Sequence, residues 1–311
     1  MKHRLDENDF AQIIGIQKNE LPAGCIRRIH EFNLSYKELG AQQHENAVHQ
    51  VVRRILEDDF SVSGAKRKED WENGWRENFD AFVDSQNDLQ SLVPKFIRPN
   101  PLLRFRQRYI QTQNPRFEWE LFQIYRYWFF DQFLKNVSSI YEFACGTGYN
   151  FVALNELFPN TPMYGLDWAQ SAVDLVNELA RTHQFNLQGR AFDFFHPDQD
   201  FCLAENSAVL TICGLEQVGT NFEPFLQYLF QQRPSICVHM EPWREAYDDD
   251  NLVDYLAKIY HDKRGYLAGF YPKLEQLETE KKIKILVKKR LNFGSLFHEG
   301  YSLIVWKMCG A

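Results

Sequence analysis

The second half of the chain alternates short apolar runs with stretches of helical periodicity. Apolar residues that recur every three or four positions predict helices at about 149–157, 169–183, 222–232, 250–260 and 266–280. The apolar runs are typical of buried strands and lie at 140–144, 162–166, 187–194, 207–213, 235–240, 283–291 and 301–307. Strands that alternate with helices predict an α/β fold with a doubly wound, mostly parallel sheet.

The last two predicted strands are joined by residues 292–300 alone. A parallel crossover needs a dozen or more residues, so these strands are expected to form an antiparallel hairpin. The sheet would then have seven strands and end in a C-terminal antiparallel hairpin. The pattern divides the chain into an N-terminal region, residues 1–136, and a Rossmann-like domain, residues 137–311.

The N-terminal region lacks alternating strand patterns and is predicted to be largely helical. Within it, Trp71, Trp75, Phe79 and Phe82 follow one another at intervals of four, four and three residues, which is the spacing of one helical face. Such a stripe is more often a packing face than a ligand cage. We therefore expect it to be part of the core.

The segment before the sheet is rich first in prolines and then in aromatic residues. Pro94, Pro99 and Pro101 lie between residues 92 and 103, where they interrupt regular structure and predict a linker or hinge. Residues 117–133 are aromatic enough to form a helix buried on several sides. That helix is expected to pack beside the first strand of the sheet.

The strongest chemical signal is the stretch 140–158, which reads IYEFACGTGYNFVALNELF. An apolar strand leads into small residues around Gly146 and Gly148, and a helical pattern follows. Glycines let the backbone approach a ligand closely, and a helix N-terminus offers unpaired N–H groups. Asp167 ends the second strand, about 20 residues later, where an acidic side chain can bind ribose hydroxyls. The two features together predict a nucleotide site.

The turn departs from the dinucleotide fingerprint Gly-x-Gly-x-x-Gly/Ala, because Phe151 occupies the third small position. This departure argues against NAD or FAD. The series Glu142-x-Ala144-x-Gly146-x-Gly148 instead resembles the first motif of class I S-adenosylmethionine-dependent methyltransferases, with alanine in place of the usual first glycine. The resemblance covers the α/β part of the chain. It implies S-adenosylmethionine as cofactor and methyl transfer as activity.

The resemblance also implies which residues contact the methionine half of the cofactor. The small-residue turn would lie against the methionine and ribose portions, and Glu142 would meet the amino group directly or through water. The turn residues assigned to the cofactor are Ala144, Cys145, Gly146 and Gly148.

The nucleoside half is assigned in the same way to residues after the second and third strands. Asp167 would accept both ribose hydroxyls, and Trp168 would pack on the adenine face. Asp193, which is followed by Phe194, ends the third strand, where the family commonly holds the adenine amino group. Capping of the following helix is the structural alternative for each carboxylate.

In many class I methyltransferases a helical lead-in covers the cofactor and contacts its carboxylate. Residues 102–114 occupy that place here, and Arg106, Gln107 and Tyr109 are the candidates. A surface basic cluster is an equal alternative for these side chains.

Catalysis of methyl transfer consists of aligning the acceptor, excluding water and, for a hydroxyl acceptor, removing a proton. Ligands in open α/β sheets bind at the carboxyl ends of strands, so Glu216, His239 and Glu241 are the candidate bases. His261 and His298 are competitors. A helix-capping or buried structural role is an equal alternative for His239 and Glu241. No two histidines have metal-ligand spacing, so no metal is predicted.

Composition limits the possible partners and the compartment. The net charge of −7 and a pI near 5.8 give no general attraction to nucleic acid or to an anionic membrane. Six scattered cysteines without a Cys-x-x-Cys pair predict reduced thiols in a cytoplasmic protein. No stretch resembles a signal peptide or approaches the ~20 apolar residues of a membrane span.

The sequence therefore predicts a methyltransferase that acts on a small molecule under a helical cover. Its later segments resemble bacterial methyltransferases of surface-polysaccharide and natural-product pathways, which suggests a hydroxylated acceptor such as a sugar. Two alternatives stay open. One is a non-catalytic protein that binds S-adenosylmethionine or acts as a scaffold. The other is a different enzyme on the same fold, an aminopropyltransferase or an NAD-dependent reductase.

Overall fold

The structure, a computed structural model, describes residues 2–95 and 101–310. Its helices are α1 Glu7–Ile14, α2 Ala23–Glu31, α3 Ala41–Glu57, α4 Lys68–Asp84, α5 Phe117–Leu134, α6 Tyr149–Leu157, α7 Gln170–His183, α8 Glu223–Gln232, α9 Leu252–Arg264 and α10 Phe270–Thr279. Its strands are β1 Lys2–Arg4, β2 Ser35–Glu38, β3 Leu102–Phe105, β4 Arg108–Thr112, β5 Ser139–Phe143, β6 Met163–Asp167, β7 Leu187–Ala191, β8 Ser207–Ile212, β9 Ile236–Glu241, β10 Ile283–Arg290, β11 Phe293–Gly294 and β12 Ser302–Met308. The predicted hinge at 92–103 lies partly outside the described residues, and Pro99 is among those not described.

Seven strands form the large sheet in the order β10-β12-β9-β8-β5-β6-β7. The five central strands run parallel, and β12 pairs antiparallel with both β9 and β10. The prediction of a mostly parallel sheet with a C-terminal antiparallel hairpin is therefore confirmed. The order reverses between β5 and β8, which creates a crevice at the carboxyl ends of these strands.

A second, five-stranded antiparallel sheet has the order β1-β2-β4-β3-β11. Four of its strands belong to the N-terminal region, so the expectation that this region lacks strands is wrong, although its described residues also form the helices α1 to α5. Strands β3 and β4 form a hairpin whose two-residue loop, Arg106 and Gln107, has φ values of 50° and 60°. Such a turn normally contains Asn-Gly or Asp-Gly, so the sequence carried no signal for it.

The small sheet is attached to the large one by buried charges. Arg104 on β3 is fully buried, and its Nη2 lies 2.7 Å from Asp254 Oδ1 and 3.5 Å from Glu299 Oε1. Arg290 on β10 binds the same two carboxylates at 2.7 and 2.6 Å. Strand β11, which lies between β10 and β12 in sequence, pairs with β3. Residues beyond the proposed boundary at 136/137 thus take part in the N-terminal sheet, and the two-domain division stays a prediction.

Helix α5 is buried on nearly all sides, as its aromatic composition predicts. It shares a core cluster with Ile140 of β5 and packs on α2 and α6. Trp119 and Phe122 on this helix are 5% and 4% exposed, and both reach the crevice of the large sheet. The helix therefore brings N-terminal side chains to the carboxyl edge of the sheet.

Two of the general predictions concern cysteines and membrane spans. The six cysteines are free, and Cys25, Cys145 and Cys237 are buried. Across residues 2–95 and 101–310, no helix is both long and apolar enough to cross a bilayer.

Candidate active site

A cavity opens at the carboxyl edge of the large sheet and encloses about 1030 Å³ of empty space, including its mouth. Its floor is built from the ends of β5, β6, β7 and β8, its roof from α4 and one wall from α5. Of the predicted cofactor residues, it brings together Glu142, Ala144, Cys145, Gly146, Asp167, Trp168 and Phe194.

The turn between β5 and α6 presents its backbone to this cavity. Ala144 and Gly146 have φ values of 56° and 54°, in the left-handed region that L side chains rarely adopt. A Cβ on Gly146 would lie 2.9 Å from Cζ2 of Trp75, so glycine is required here for close approach. Gly148 has φ 71°, but a Cβ there would meet Val176 of α7 at 3.0 Å. Gly148 thus serves helix packing and does not line the cavity.

Asp167 ends β6 and is 3% exposed. Its Oδ2 accepts a hydrogen bond from the Gly146 N–H at 3.0 Å, and its Oδ1 accepts one from the Ala169 N–H at 3.0 Å. Burial raises the pKa of this carboxyl to about 6, against the opposing effect of the backbone donors. Each oxygen keeps a further lone pair, so the carboxylate is able to hold the turn and still accept two hydroxyls.

Glu142 on β5 is the most unusual carboxylate in the cavity wall. It is 1% exposed, and its Oε1 accepts a hydrogen bond from Asn150 Nδ2 at 2.5 Å. Its Oε2 is buried without a hydrogen-bond partner among the described residues. Arg126 donates from Nη1 to Asn150 Oδ1 at 2.9 Å, which fixes the amide with its NH₂ toward Glu142. Burial raises the pKa of Glu142 to about 8.

An unsatisfied buried acceptor costs roughly 1–3 kcal/mol, so the free Oε2 of Glu142 indicates a missing donor. The ammonium group of an amino acid supplies such a donor and also balances the charge. The geometry therefore fits the role that the methyltransferase resemblance gives to Glu142.

Aromatic side chains line the end of the cavity over β6 and β7. Trp168 and Phe195 stack on each other with ring centroids 5.9 Å apart, and Phe192 and Phe194 complete an apolar, aromatic slot. An adenine ring would pack on an outer face of the stacked pair, because the two rings leave no room for a third between them. Asp193 lies beside the slot, but its Oδ1 accepts from the Phe195 N–H at 2.8 Å and the residue does not line the cavity. Its predicted contact with the adenine amino group stays a prediction.

The roof of the cavity comes from α4. Trp71 and Trp75 face the turn, and their rings stack with centroids 5.3 Å apart. The helix is attached to α7 because the Ser171 N–H donates to Glu72 Oε1 at 3.1 Å and the Ser171 hydroxyl donates to the Glu72 carbonyl at 2.8 Å. The expected packing stripe therefore has two functions. Its first two residues roof the cavity, and Phe82 is core.

The structure corrects the predicted contact from the β3–β4 hairpin. Tyr109 is 1% exposed and lies in a cluster with α3 and α9, away from the cavity, and burial raises its pKa to about 12. Gln107 Nε2 donates to Asp254 Oδ2 at 2.9 Å, and Arg106 lies 3.4 Å from Asp9 Oδ1. None of these three side chains lines the cavity. The segment pairs as a strand in the small sheet, so it does not form a helical cover.

Hydrogen exchange distinguishes the two possible covers. On saturation with S-adenosylhomocysteine, we expect the amides of residues 71–75 to exchange at least about tenfold more slowly, because ligand contact suppresses local opening of α4. Residues 106–109 should exchange equally with and without ligand. Slower exchange confined to residues 106–109 would show that the β3–β4 hairpin, and not α4, covers the ligand.

Two of the predicted catalytic residues are also corrected. His239 is fully buried within β9, between Phe270 and Trp306, and its Nδ1 lies 2.9 Å from Thr211 Oγ1. Burial lowers the pKa of His239 to about 3, so this side chain is a poor base and does not reach the cavity. Glu241 accepts three backbone hydrogen bonds, from Gly214, Leu215 and Glu216, at 3.0–3.1 Å. It holds the turn after β8 in place and does not contact the cavity.

The remaining candidates lie behind the cavity wall. Glu216 is 8% exposed, its Oε1 accepts from Gln217 Nε2 at 2.9 Å, and burial raises its pKa to about 8. Gln217 lines the cavity, whereas Glu216 does not. His261 and His298 lie with ring centroids 6.1 Å apart, and burial lowers both pKa values far below the ordinary range. Within the described part of the chain, no group of three His, Cys, Asp or Glu side chains is placed to hold a metal ion.

The protein is similar to known proteins in structure but not in sequence. No protein-family model and no curated protein matches the sequence. The structure is similar to that of the 16S rRNA methyltransferase RmtF with S-adenosyl-L-homocysteine, at TM-score 0.43 and 12% identity over 94% of this chain and 91% of that chain. It is also similar to PigF with SAH, at TM-score 0.45 and 12% identity over 86% of this chain and 69% of that chain. A third similar structure is the plantazolicin methyltransferase BpumL in complex with a monoazolic desmethylPZN analog and SAH. Its TM-score is 0.44 and its identity 13%, over 79% of this chain and 98% of that chain.

The fold is given by the large sheet and does not depend on these comparisons. The strand order β10-β12-β9-β8-β5-β6-β7, with β12 antiparallel to both β9 and β10, is a Rossmann-like topology and agrees with the fold that the methyltransferase resemblance implies. The glycine turn after β5 and the acidic residue that ends β6 stand at the carboxyl edge, where this fold places its ligand.

Proposed function

We propose that this protein is an S-adenosylmethionine-dependent methyltransferase that acts on a small molecule. The observation that carries the proposal is the free, buried Oε2 of Glu142 beside a cavity that also contains the Asp167 carboxylate. An amino group and a pair of ribose hydroxyls, carried by one ligand, would satisfy both carboxylates. S-adenosylmethionine has these groups together with an adenine for the aromatic slot.

Each part of the cavity would contribute a separate function. Glu142 would hold the amino group, Asp167 the ribose hydroxyls, and Trp168 with Phe195 the adenine. The bound cofactor supplies a methyl group on a cationic sulfur. Trp71 and Trp75 would exclude water from the space above the turn, which strengthens the electrostatic interactions inside.

The acceptor would be a small molecule, because α4 and α5 bound the space left in the cavity. A hydroxyl group on it is the expectation that comes from the sequence. The inclination toward a sugar has little support from the lining. Sugars are usually held by several polar side chains, whereas Trp119, Phe122, Tyr149 and Tyr301 dominate the wall away from the cofactor residues. The net charge of −7 gives no general attraction to nucleic acid.

Titration calorimetry with S-adenosylmethionine, S-adenosylhomocysteine and NAD tests the proposal. The first two should bind at micromolar concentrations, and NAD should not, because Phe151 replaces the small residue that a pyrophosphate turn needs. Preference for NAD would favour the reductase alternative. Binding without transfer to any hydroxylated acceptor would favour the non-catalytic alternative.

Proton release on binding tests the role of Glu142. Its pKa of about 8 means that the carboxyl is mostly protonated at pH 7 in the free protein. An ammonium group on Oε2 stabilises the carboxylate, so S-adenosylhomocysteine should release up to about one proton at pH 7 and bind more tightly as the pH rises from 6 to 8. Calorimetry in two buffers of different ionisation enthalpy measures the release.

The matching variants are Glu142→Gln and Glu156→Gln. The first should abolish the release and weaken binding about tenfold, the cost of a charged hydrogen bond. The second alters an exposed carboxylate of α6 that pairs with Arg27 at 2.7 Å, and it should behave as the wild type. An undiminished release in Glu142→Gln would mean that another group loses the proton.

A further inference from the structure

The half of the cavity away from the cofactor residues lies over β8 and β12. Along the carboxyl edge, the assigned cofactor residues belong to β5, β6 and β7, and the cavity continues past β5 to Cys213 after β8 and Tyr301 before β12. Helix α5 closes this half with Trp119 and Phe122. We call these four side chains, Cys213, Tyr301, Trp119 and Phe122, the acceptor wall.

The acceptor wall is flat and apolar. Phe122 and Tyr301 stack with ring centroids 5.0 Å apart, and Trp119 lies 4.7 Å from the ring of Tyr149. Cys213 is held in place because its Sγ donates to the Gly300 carbonyl at 3.3 Å. Surfaces of this kind stack well on planar rings and offer few partners to a polyhydroxylated ligand.

One carboxylate stands behind this wall. The Tyr301 hydroxyl donates to Glu118 Oε1 at 3.3 Å, and Glu118 lies in the first turn of α5, directly before Trp119. Among the described residues no cation forms an ion pair with Glu118. Burial raises the pKa of this carboxyl to about 7, with the tyrosine hydroxyl as the opposing influence.

The other titratable groups near this pair are acidic or neutral except Arg126, whose guanidinium lies 5.8 and 5.7 Å from the ring centroids of Trp119 and Phe122. Cys213 lies close enough for Glu118 to raise the pKa of its thiol, and Glu216 contributes to the raised pKa of Tyr301. The Glu118 carboxyl is therefore ready to change protonation near neutrality, and Tyr301 connects it to the cavity. A base with a pKa near the working pH is the most effective kind.

We propose that the acceptor is a planar aromatic hydroxyl compound and that Tyr301 and Glu118 form the relay that removes its proton. The inference rests on the proposed function. The acceptor O–H gives its proton to Tyr301 Oη while the Tyr301 proton moves to the Glu118 carboxylate. The acceptor oxygen forms the C–O bond to the methyl carbon, and the C–S bond breaks with its electron pair going to sulfur. Glu118 then loses the proton to solvent.

The test uses 2-naphthol as the probe, titrated by fluorescence into the protein saturated with S-adenosylhomocysteine. In the wild type, affinity for 2-naphthol should be about tenfold higher at pH 8 than at pH 6. At the higher pH the Glu118 carboxylate is charged, and it strengthens the chain of hydrogen bonds from 2-naphthol through Tyr301. Glu118→Gln and Tyr301→Phe should each remove this pH dependence. Glu120→Gln is the matched control on the same helical turn, where the side chain accepts from Asn114 at 2.6 Å, and it should keep the wild-type profile.

A second measurement follows the reaction. With S-adenosylmethionine, formation of 2-methoxynaphthalene should fall at least about 100-fold in Glu118→Gln, the usual contribution of a general base. An unchanged pH dependence in Glu118→Gln, or no binding of 2-naphthol to the complex, overturns the relay and the acceptor class. If S-adenosylhomocysteine itself fails to bind, the proposed function fails instead, so the two failures are distinguishable.

Discussion

Replacement of Gly146 with alanine is expected to weaken the binding of S-adenosylmethionine at least about 100-fold. At φ 54°, an added Cβ lies 2.9 Å from Cζ2 of Trp75, in the narrow space between the turn and α4. The left-handed conformation costs a non-glycine residue roughly 1–2 kcal/mol of stability in the free and the bound protein alike. The loss of affinity comes from the methyl group, which occupies the approach of the ligand. Titration calorimetry gives the affinity, and thermal unfolding shows whether the variant is folded.

Two further variants separate the causes of this loss. Gly148→Ala introduces similar backbone strain at φ 71°, but its Cβ meets Val176 of α7 outside the cavity, so Tm should fall while affinity changes less than about fivefold. The double variant Gly146→Ala/Trp75→Leu removes the clash with the indole but keeps the methyl group in the ligand path. Recovery of wild-type affinity in the double variant would show that the clash with the Trp75 indole causes the loss, and that the methyl group does not block the ligand.

Replacement of Asp167 with asparagine is expected to weaken S-adenosylmethionine binding by about 1.5–3 kcal/mol, which is the loss of hydrogen bonds to a charged acceptor. The amide has nearly the shape of the carboxylate, but its NH₂ replaces an oxygen that accepts from the N–H of Gly146 or of Ala169. Thermal unfolding is therefore measured beside the affinity, so that any loss of the turn is separated from loss of the ribose contact. Asp198→Asn is the control, since Asp198 pairs with Arg190 at the surface at 3.0 Å. Unchanged affinity in a folded Asp167→Asn protein would contradict the assignment of the ribose hydroxyls to Asp167.

Much of the large sheet was predictable because its strands and helices have clear periodicities. The helix predicted at 149–157 is observed as Tyr149–Leu157, and the predicted C-terminal hairpin is formed by β10 and β12. The small sheet was not predictable. Its hairpin turns through Arg106 and Gln107, whose side chains give no turn signal, and one of its strands, β11, has only two residues.

In the site, the residues that belong to local motifs were predictable from the sequence, whereas the contacts between distant segments were not. Spacing predicted a shared site for Gly146 and Asp167, and the resemblance to the methyltransferase motif added Glu142; the structure places all three in one cavity. His239 was assigned to a strand end, yet the side chain is buried within the sheet, because alternation along a strand does not say which face carries the ligand. The contribution of Trp71 depends on the packing of α4 on α7, which no local pattern indicates.

A crystal structure of the protein with S-adenosylhomocysteine tests the central claim most directly. We expect the two ribose hydroxyls within hydrogen-bond distance of the Asp167 carboxylate, the amino group on Glu142 Oε2, and the adenine against the indole of Trp168. The sulfur should face Cys213 and Tyr301. Ligand bound outside this cavity, or bound in it with the ribose away from Asp167, would contradict the account.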